Sequence, residues 1–176
     1  VAATGERSSA ERGRGIARTL VPLDRFVERG RTARVHMPTP PIRPGFPTVS
    51  PYLIFRDVAA ALAFYQTALG TEEISRHTDA AGRIVHAEFR IGDSTFMVSG
   101  EHPAFPFMRS AESFGGSPVQ LFLYVDNVDA RFARALAAGG TVIMPVADQP
   151  YGRSGGFQDP FGLVWWLSTH PAPTTG

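Results

Sequence analysis

The chain repeats itself with an offset of 70 residues, and such a duplication restricts it to two packed copies of one unit. Tyr52-Leu53-Ile54-Phe55 matches Phe122-Leu123-Tyr124-Val125. Asp57-Val58-Ala59-Ala60-Ala61-Leu62 then faces Asn127-Val128-Asp129-Ala130-Arg131-Phe132. Both stretches are rich in alanine, which favours helix, and each opens on an Asx side chain able to cap its first turn. The helices should stop at Gly70 and at Gly139-Gly140, where a left-handed backbone costs little. Gly92 falls opposite Gly162, each in the turn before a terminal strand. Each copy therefore reads strand, helix, three strands, an α+β architecture. Strands are expected at 50–56, 72–78, 83–91 and 94–99, and again at 118–125, 141–147, 153–159 and 163–169.

The last strand is the most apolar. Asp159-Pro160-Phe161-Gly162 forms its turn, and β-branched and aromatic residues follow. Alternation puts Val164, Trp166 and Ser168 on one side and Leu163, Trp165 and Leu167 on the other. Both sides need cover: a helix on one, a cavity or an opposing sheet wall on the other. Between the copies, residues 100–117 carry Phe105, Phe107, Met108 and Phe114, too many apolar groups for a solvated loop. This segment is expected to pack over a cavity mouth or against a partner chain.

Composition narrows the function classes. The 176 residues hold no cysteine, which excludes disulfides, thiolate metal sites and a cysteine nucleophile. No apolar run approaches the ~20 residues that span a bilayer. Residues 1–45 hold nine arginines and four acids; the remainder holds eight arginines and twelve acids. The first 45 residues read as a flexible, Arg-rich extension ending in the Pro-rich linker Thr39-Pro40-Pro41-Ile42-Arg43-Pro44. Met37 would serve as a start, with the residues before it then a start-site artefact. The folded domain is expected over 46–170, with copies at about 50–99 and 118–169, and a disordered tail at 171–176. The extension lacks the apolar centre of a secretory signal, and a cytoplasmic protein is expected. No aromatic or basic stripe accompanies it in the folded part, so neither nucleic acid nor membrane is expected as a partner.

Several motifs occur together in order. They are Pro51-Tyr52-Leu53, His86-Ala87-Glu88, Ile91-Gly92-Asp93-Ser94, and Asp159-Pro160-Phe161-Gly162 followed by Trp165 and Thr169-His170. With two βαβββ units, they resemble the vicinal oxygen chelate superfamily of glyoxalase I, bleomycin-resistance proteins and extradiol dioxygenases. More narrowly they are similar to its PhnB-type, glyoxalase-like branch. The resemblance covers about 48–170. It implies a cupped, mostly antiparallel sheet of eight strands, and a homodimer. It leaves the reaction open, because the fold hosts lyases, epimerases, dioxygenases, thiol transferases and drug binders.

Metal-using members of that superfamily draw ligands from the first and last strands of each unit. Carried onto this chain, those positions are Ser50, Gln120, Phe96 (or Met97, with a slip of one residue) and Trp166. Rings do not ligate, and one neutral amide with one hydroxyl is a poor substitute for carboxylates or imidazoles. No resident cofactor is expected, and a divalent metal is disfavoured. The cup is instead expected to be lined by Tyr52, Ile54, Phe96, Gln120, Phe122, Tyr124 and Trp166, the makeup of a site for a flat or apolar small molecule. Tyr151 and Arg153, in the glycine-rich stretch 148–157, are further ligand-binding candidates. The alternative is a lyase, isomerase or epimerase in which His86 and Glu88, two apart on one strand, act as acid and base or hold a displaced metal. The plainer reading of that pair is a sheet-face His and Glu bonded to neighbours such as Arg76 or Arg90.

Overall fold

The computed structural model describes residues 41–170; the readings of residues 1–40 and of the tail from 171 lie outside the described residues. The first unit comprises β1 (Tyr52–Phe55), α1 (Val58–Leu69), β2 (Glu72–Thr78), β3 (Ile84–Ile91) and β4 (Ser94–Gly100). A short helix, α2 (Ala111–Phe114), follows. The second unit comprises β5 (Gln120–Tyr124), α3 (Val128–Ala137), β6 (Thr141–Gln149), β7 (Gly152–Gln158) and β8 (Val164–Thr169). The eight strands are hydrogen-bonded as two sheets of four, in orders β1-β4-β3-β2 and β5-β8-β7-β6, rather than as one continuous sheet. In each sheet only the first and last strands of the unit pair in parallel.

The helices begin where the sequence places them. Asp57 accepts the Ala60 amide at 2.9 Å, and Asn127 accepts that of Ala130 at 3.0 Å. Gly70 ends α1 at φ 71°, a conformation a side chain would resist. Each helix covers one face of its sheet. Ala61, Leu62, Phe64, Tyr65, Ala68 and Leu69 of α1, with Phe132 and Ala135 of α3, pack with Phe89, Val98, Phe157, Trp165 and Leu167 from the strands.

One carboxylate ties the two units together. Asp159, buried in the turn before β8, takes four donors. The Tyr65 hydroxyl of α1 donates to its Oδ2 at 2.6 Å, and the Trp165 indole N–H to the same oxygen at 3.0 Å. The Phe161 and Leu163 amides donate to Oδ1, both at 2.9 Å. Burial pushes the carboxyl above its ordinary value despite these donors. Burial, and then the charge of Asp159, push the Tyr65 phenol up as well. A second tie joins the helices. Arg131 of α3 donates to the Leu69 carbonyl and Arg134 to that of Thr67 at 2.6 Å, satisfying the open C-terminal end of α1.

Residues 100–117 are less irregular than their composition suggests. Ser110 caps α2 by accepting the Ser113 amide at 3.2 Å, and Glu101 in turn accepts the Ser110 hydroxyl at 2.6 Å and its amide at 2.8 Å. The Ser110 hydroxyl foremost, with Ser113 and the Ser110 amide, holds the Glu101 carboxyl down to about 2.

Candidate functional site

Strand register decides which side chains share a surface. Across the first sheet, Tyr52 pairs with Met97, Met97 with Glu88, and Glu88 with Ser75. Across the second, Phe122 pairs with Trp166, Trp166 with Gly156, and Gly156 with Met144. These are equivalent rows on the sheet faces opposite the helices. Tyr52 and Phe122 keep the offset of 70, whereas Met97 and Trp166 are one residue off it: β4 and β8 both begin two residues after their turn glycines, but Met97 stands five residues after Gly92 and Trp166 four after Gly162.

That slip corrects one expectation. Phe96 does not line the outer face. It is only 6% exposed, stacks on Phe89 with ring centroids 4.9 Å apart, and lies 6.0 Å from Trp165 in the helix-side core. Met97 takes the outer position. Nor does one cavity gather the other expected residues. Tyr52 and Ile54 line a cleft of about 480 Å³ between β1, the 107–119 segment and β5. The apolar connecting segment contributes Phe107, Ala111 and Phe114 to that cleft. Gln120, Phe122, Tyr124 and Trp166 lie on the outer face of the second sheet instead.

On that second face the rings are open. Phe122 and Tyr124 are 50% and 66% exposed, with centroids 5.2 Å apart. The indole N–H of Trp166 donates to Gln120 Oε1 at 2.7 Å. The indole lies over Gly156 so closely that a Cβ there would sit 2.7 Å from Cζ3. Gly155 is equally crowded by Val146, with Cγ2 at 2.8 Å. The two glycines admit neighbouring residues of the same sheet, not a ligand, and most of the 148–157 stretch is regular strand. Tyr151 is exposed at the β6–β7 turn. Arg153 is engaged: it clasps Asp129 through two bonds of 2.7 and 2.8 Å and reaches Asp148 at 3.0 Å.

On the first face His86 and Glu88 do come together, His86 Nε2 lying 3.6 Å from Glu88 Oε1. Tyr52 Oη lies 3.5 Å from His86 Nδ1. The neighbours of Glu88 differ from those expected: Ser75 donates at 2.7 Å, and Arg43, from the segment before β1, at 2.5 Å. Arg76 and Arg90 pair with Glu73 and Glu72. Burial raises the Glu88 carboxyl, but Ser75, Arg43 and His86 together outweigh it, and its net shift is downward. Sequence alone gave no signal for Arg43, which sits 45 residues from Glu88 in a stretch that reads as linker.

The superfamily metal positions carry Ser50, Met97, Gln120 and Trp166 here. Ser50 Oγ is buried without a hydrogen-bond partner, but Gln120 gives its oxygen to Trp166, and neither a thioether nor an indole answers a hard cation. The donor set does not fit a catalytic divalent metal. Among the described residues, no group of three or more His, Asp or Glu side chains converges elsewhere. No helix among them is long and apolar enough to cross a membrane.

The comparisons agree with this architecture. The Mycobacterium bovis protein Mb0911c is 40% identical over 124 residues, covering 69% of this chain and 82% of that one. Among solved structures, TioX from Micromonospora sp. ML1 is 26% identical with a TM-score of 0.55, covering 73% of this chain and 100% of its own. The PhnB protein of Bacillus cereus, at 21% identity and a TM-score of 0.56 over 70% of this chain and 99% of its own, shares the fold. Residues 47–167 match the sequence pattern of one family, and with two βαβββ units in the expected order the chain belongs to the glyoxalase/bleomycin resistance protein/dioxygenase superfamily.

Proposed function

We propose that this protein binds a flat, aromatic or apolar small molecule against the outer face of its second sheet, without a metal. The carrying observation is the exposed pair Phe122 and Tyr124 beside the Gln120–Trp166 hydrogen bond. Contiguous exposed rings mark a recognition surface, and their π-faces reward a planar ligand. Gln120 keeps an amide N–H₂ with which to orient a carbonyl. A second copy of the chain would close the face against water, so the binding form is read as a homodimer. The acid–base alternative draws less support. Glu88 already holds Arg43 and Ser75, and its lowered carboxyl pKa moves away from the neutral range where proton transfer is efficient.

Titration with a panel of planar aromatic compounds, read by tryptophan emission, tests the reading. Trp165 is buried, so quenching should arise at Trp166. Trp166→Ala should weaken binding by roughly 1–3 kcal/mol, the scale of one stacked aromatic, while His86→Ala and added chelator leave it unchanged. Loss of binding on chelation, or turnover that His86→Ala abolishes, would overturn it.

A further inference from the structure

We infer that the outer face of the first sheet is a receptor for a cationic group of the guanidinium or amidinium type, which Arg43 occupies from within the same chain. The receptor is built by the sheet itself. Glu88 sits in mid-strand with its side chain only 5% exposed, fixed by the Ser75 hydroxyl and flanked by His86. An ionised carboxylate so far from water requires a cation. No arginine of these strands supplies it: Arg76 and Arg90 are committed to Glu73 and Glu72, and the His86 imidazole stands 3.6 Å off.

The cation arrives instead on a separable strap. Arg43 precedes β1 and is 56% exposed although its guanidinium reaches Glu88. A tight turn holds the strap, with the Phe46 amide donating to the Arg43 carbonyl at 3.0 Å and the guanidinium 4.1 Å above the Phe46 ring. A further anchor is a long bond of 3.4 Å from Thr95 Oγ1 to the Gly45 carbonyl. Among the described residues these ties are few beside the strand ladder that fixes Glu88. Next to the carboxylate, register places Met97 and then the half-exposed Tyr52. Two strand spacings separate Tyr52 from Glu88, about 10 Å. A molecule with an amidinium at one end and a flat body at the other matches that row. The inference concerns a different sheet from the proposed aromatic site, so either can fail alone.

Benzamidine is the probe, added to the full chain and followed by calorimetry. The strap competes as a tethered ligand, so Arg43→Ala should tighten benzamidine binding about tenfold or more, the factor by which an occupied site masks its intrinsic affinity. Adding Glu88→Gln to that variant should abolish the gain. Arg43→Gln, which removes the charge and keeps most of the stem, replaces Arg43→Ala if the latter does not fold. Binding no tighter than in the parent chain, or binding indifferent to Glu88→Gln, overturns the inference.

Discussion

Removing the Tyr65 hydroxyl tests whether the two units are held together by a buried carboxylate. In Tyr65→Phe the ring stays in the core, and only the 2.6 Å bond to Asp159 is lost. Hydrogen bonds to charged groups contribute about 1.5–3 kcal/mol, so a loss near 2 kcal/mol is expected. Asp159→Ala should cost more, about 4 kcal/mol or above, because it strands the Tyr65 hydroxyl, the Trp165 indole N–H and two turn amides at about 1–3 kcal/mol for each group left dry. The two changes share one bond, so they must not add. In the Tyr65→Phe background there is no hydroxyl left to strand, and the Asp159→Ala penalty should shrink by roughly 1–2 kcal/mol. Urea unfolding of the four chains at one protein concentration closes the cycle, with shifts of about 3 °C per kcal/mol expected in parallel thermal melts. Additivity within about 0.3 kcal/mol, the scatter of independent sites, would refute the claim that this bond couples the units.

Two further outcomes follow from contacts already described. Gly156→Ala places a methyl 2.7 Å from the Trp166 ring, so the indole should swing off the sheet, shift its emission to the red and lose its bond to Gln120, with aromatic-ligand affinity falling alongside; unchanged emission would count against the packing described. The Glu101–Ser110 clasp should be acid-labile with a defined sign: the folded carboxyl titrates at about 2 against an ordinary 4.5, so its stabilisation is complete above 4.5 and is lost as pH falls toward 2. The protection factors of the Ser110 and Ser113 amides, exchange measured against the intrinsic rate at each pH, should fall over that window, and protection constant across it would show that the clasp does not hold α2.

The fold was legible because its signals are local and duplicated. The capping Asx residues, the glycines after each helix and the turn at Asp159 each act within a few residues of themselves. Even the short helix α2 carried a signal that went unread, a Ser110 cap followed by Gly115 at φ 79°. The site was less legible because it depends on register and on distant contacts. A slip of one residue after Gly92 exchanged Phe96 for Met97, and in a strand one residue is the difference between core and surface. The pairing of Arg43 with Glu88 joins a proline-rich stretch to a strand, and no periodicity connects them.

The duplicated units have diverged in the chemistry of equivalent rows. In the first sheet the row runs Tyr52, Met97, Glu88, Ser75; in the second it runs Phe122, Trp166, Gly156, Met144. Where one copy has a buried carboxylate, the other has a glycine, and the absence of that side chain is what lets the Trp166 indole lie flat. The second face could not keep its tryptophan in place and also hold a glutamate at position 156, because ring and side chain would claim the same volume. The ionic face and the aromatic face are thus alternative solutions on one backbone. A chain that carries one of each presents a charge-selective surface and a ring-selective surface, while the core that positions both is shared through Tyr65 and Asp159.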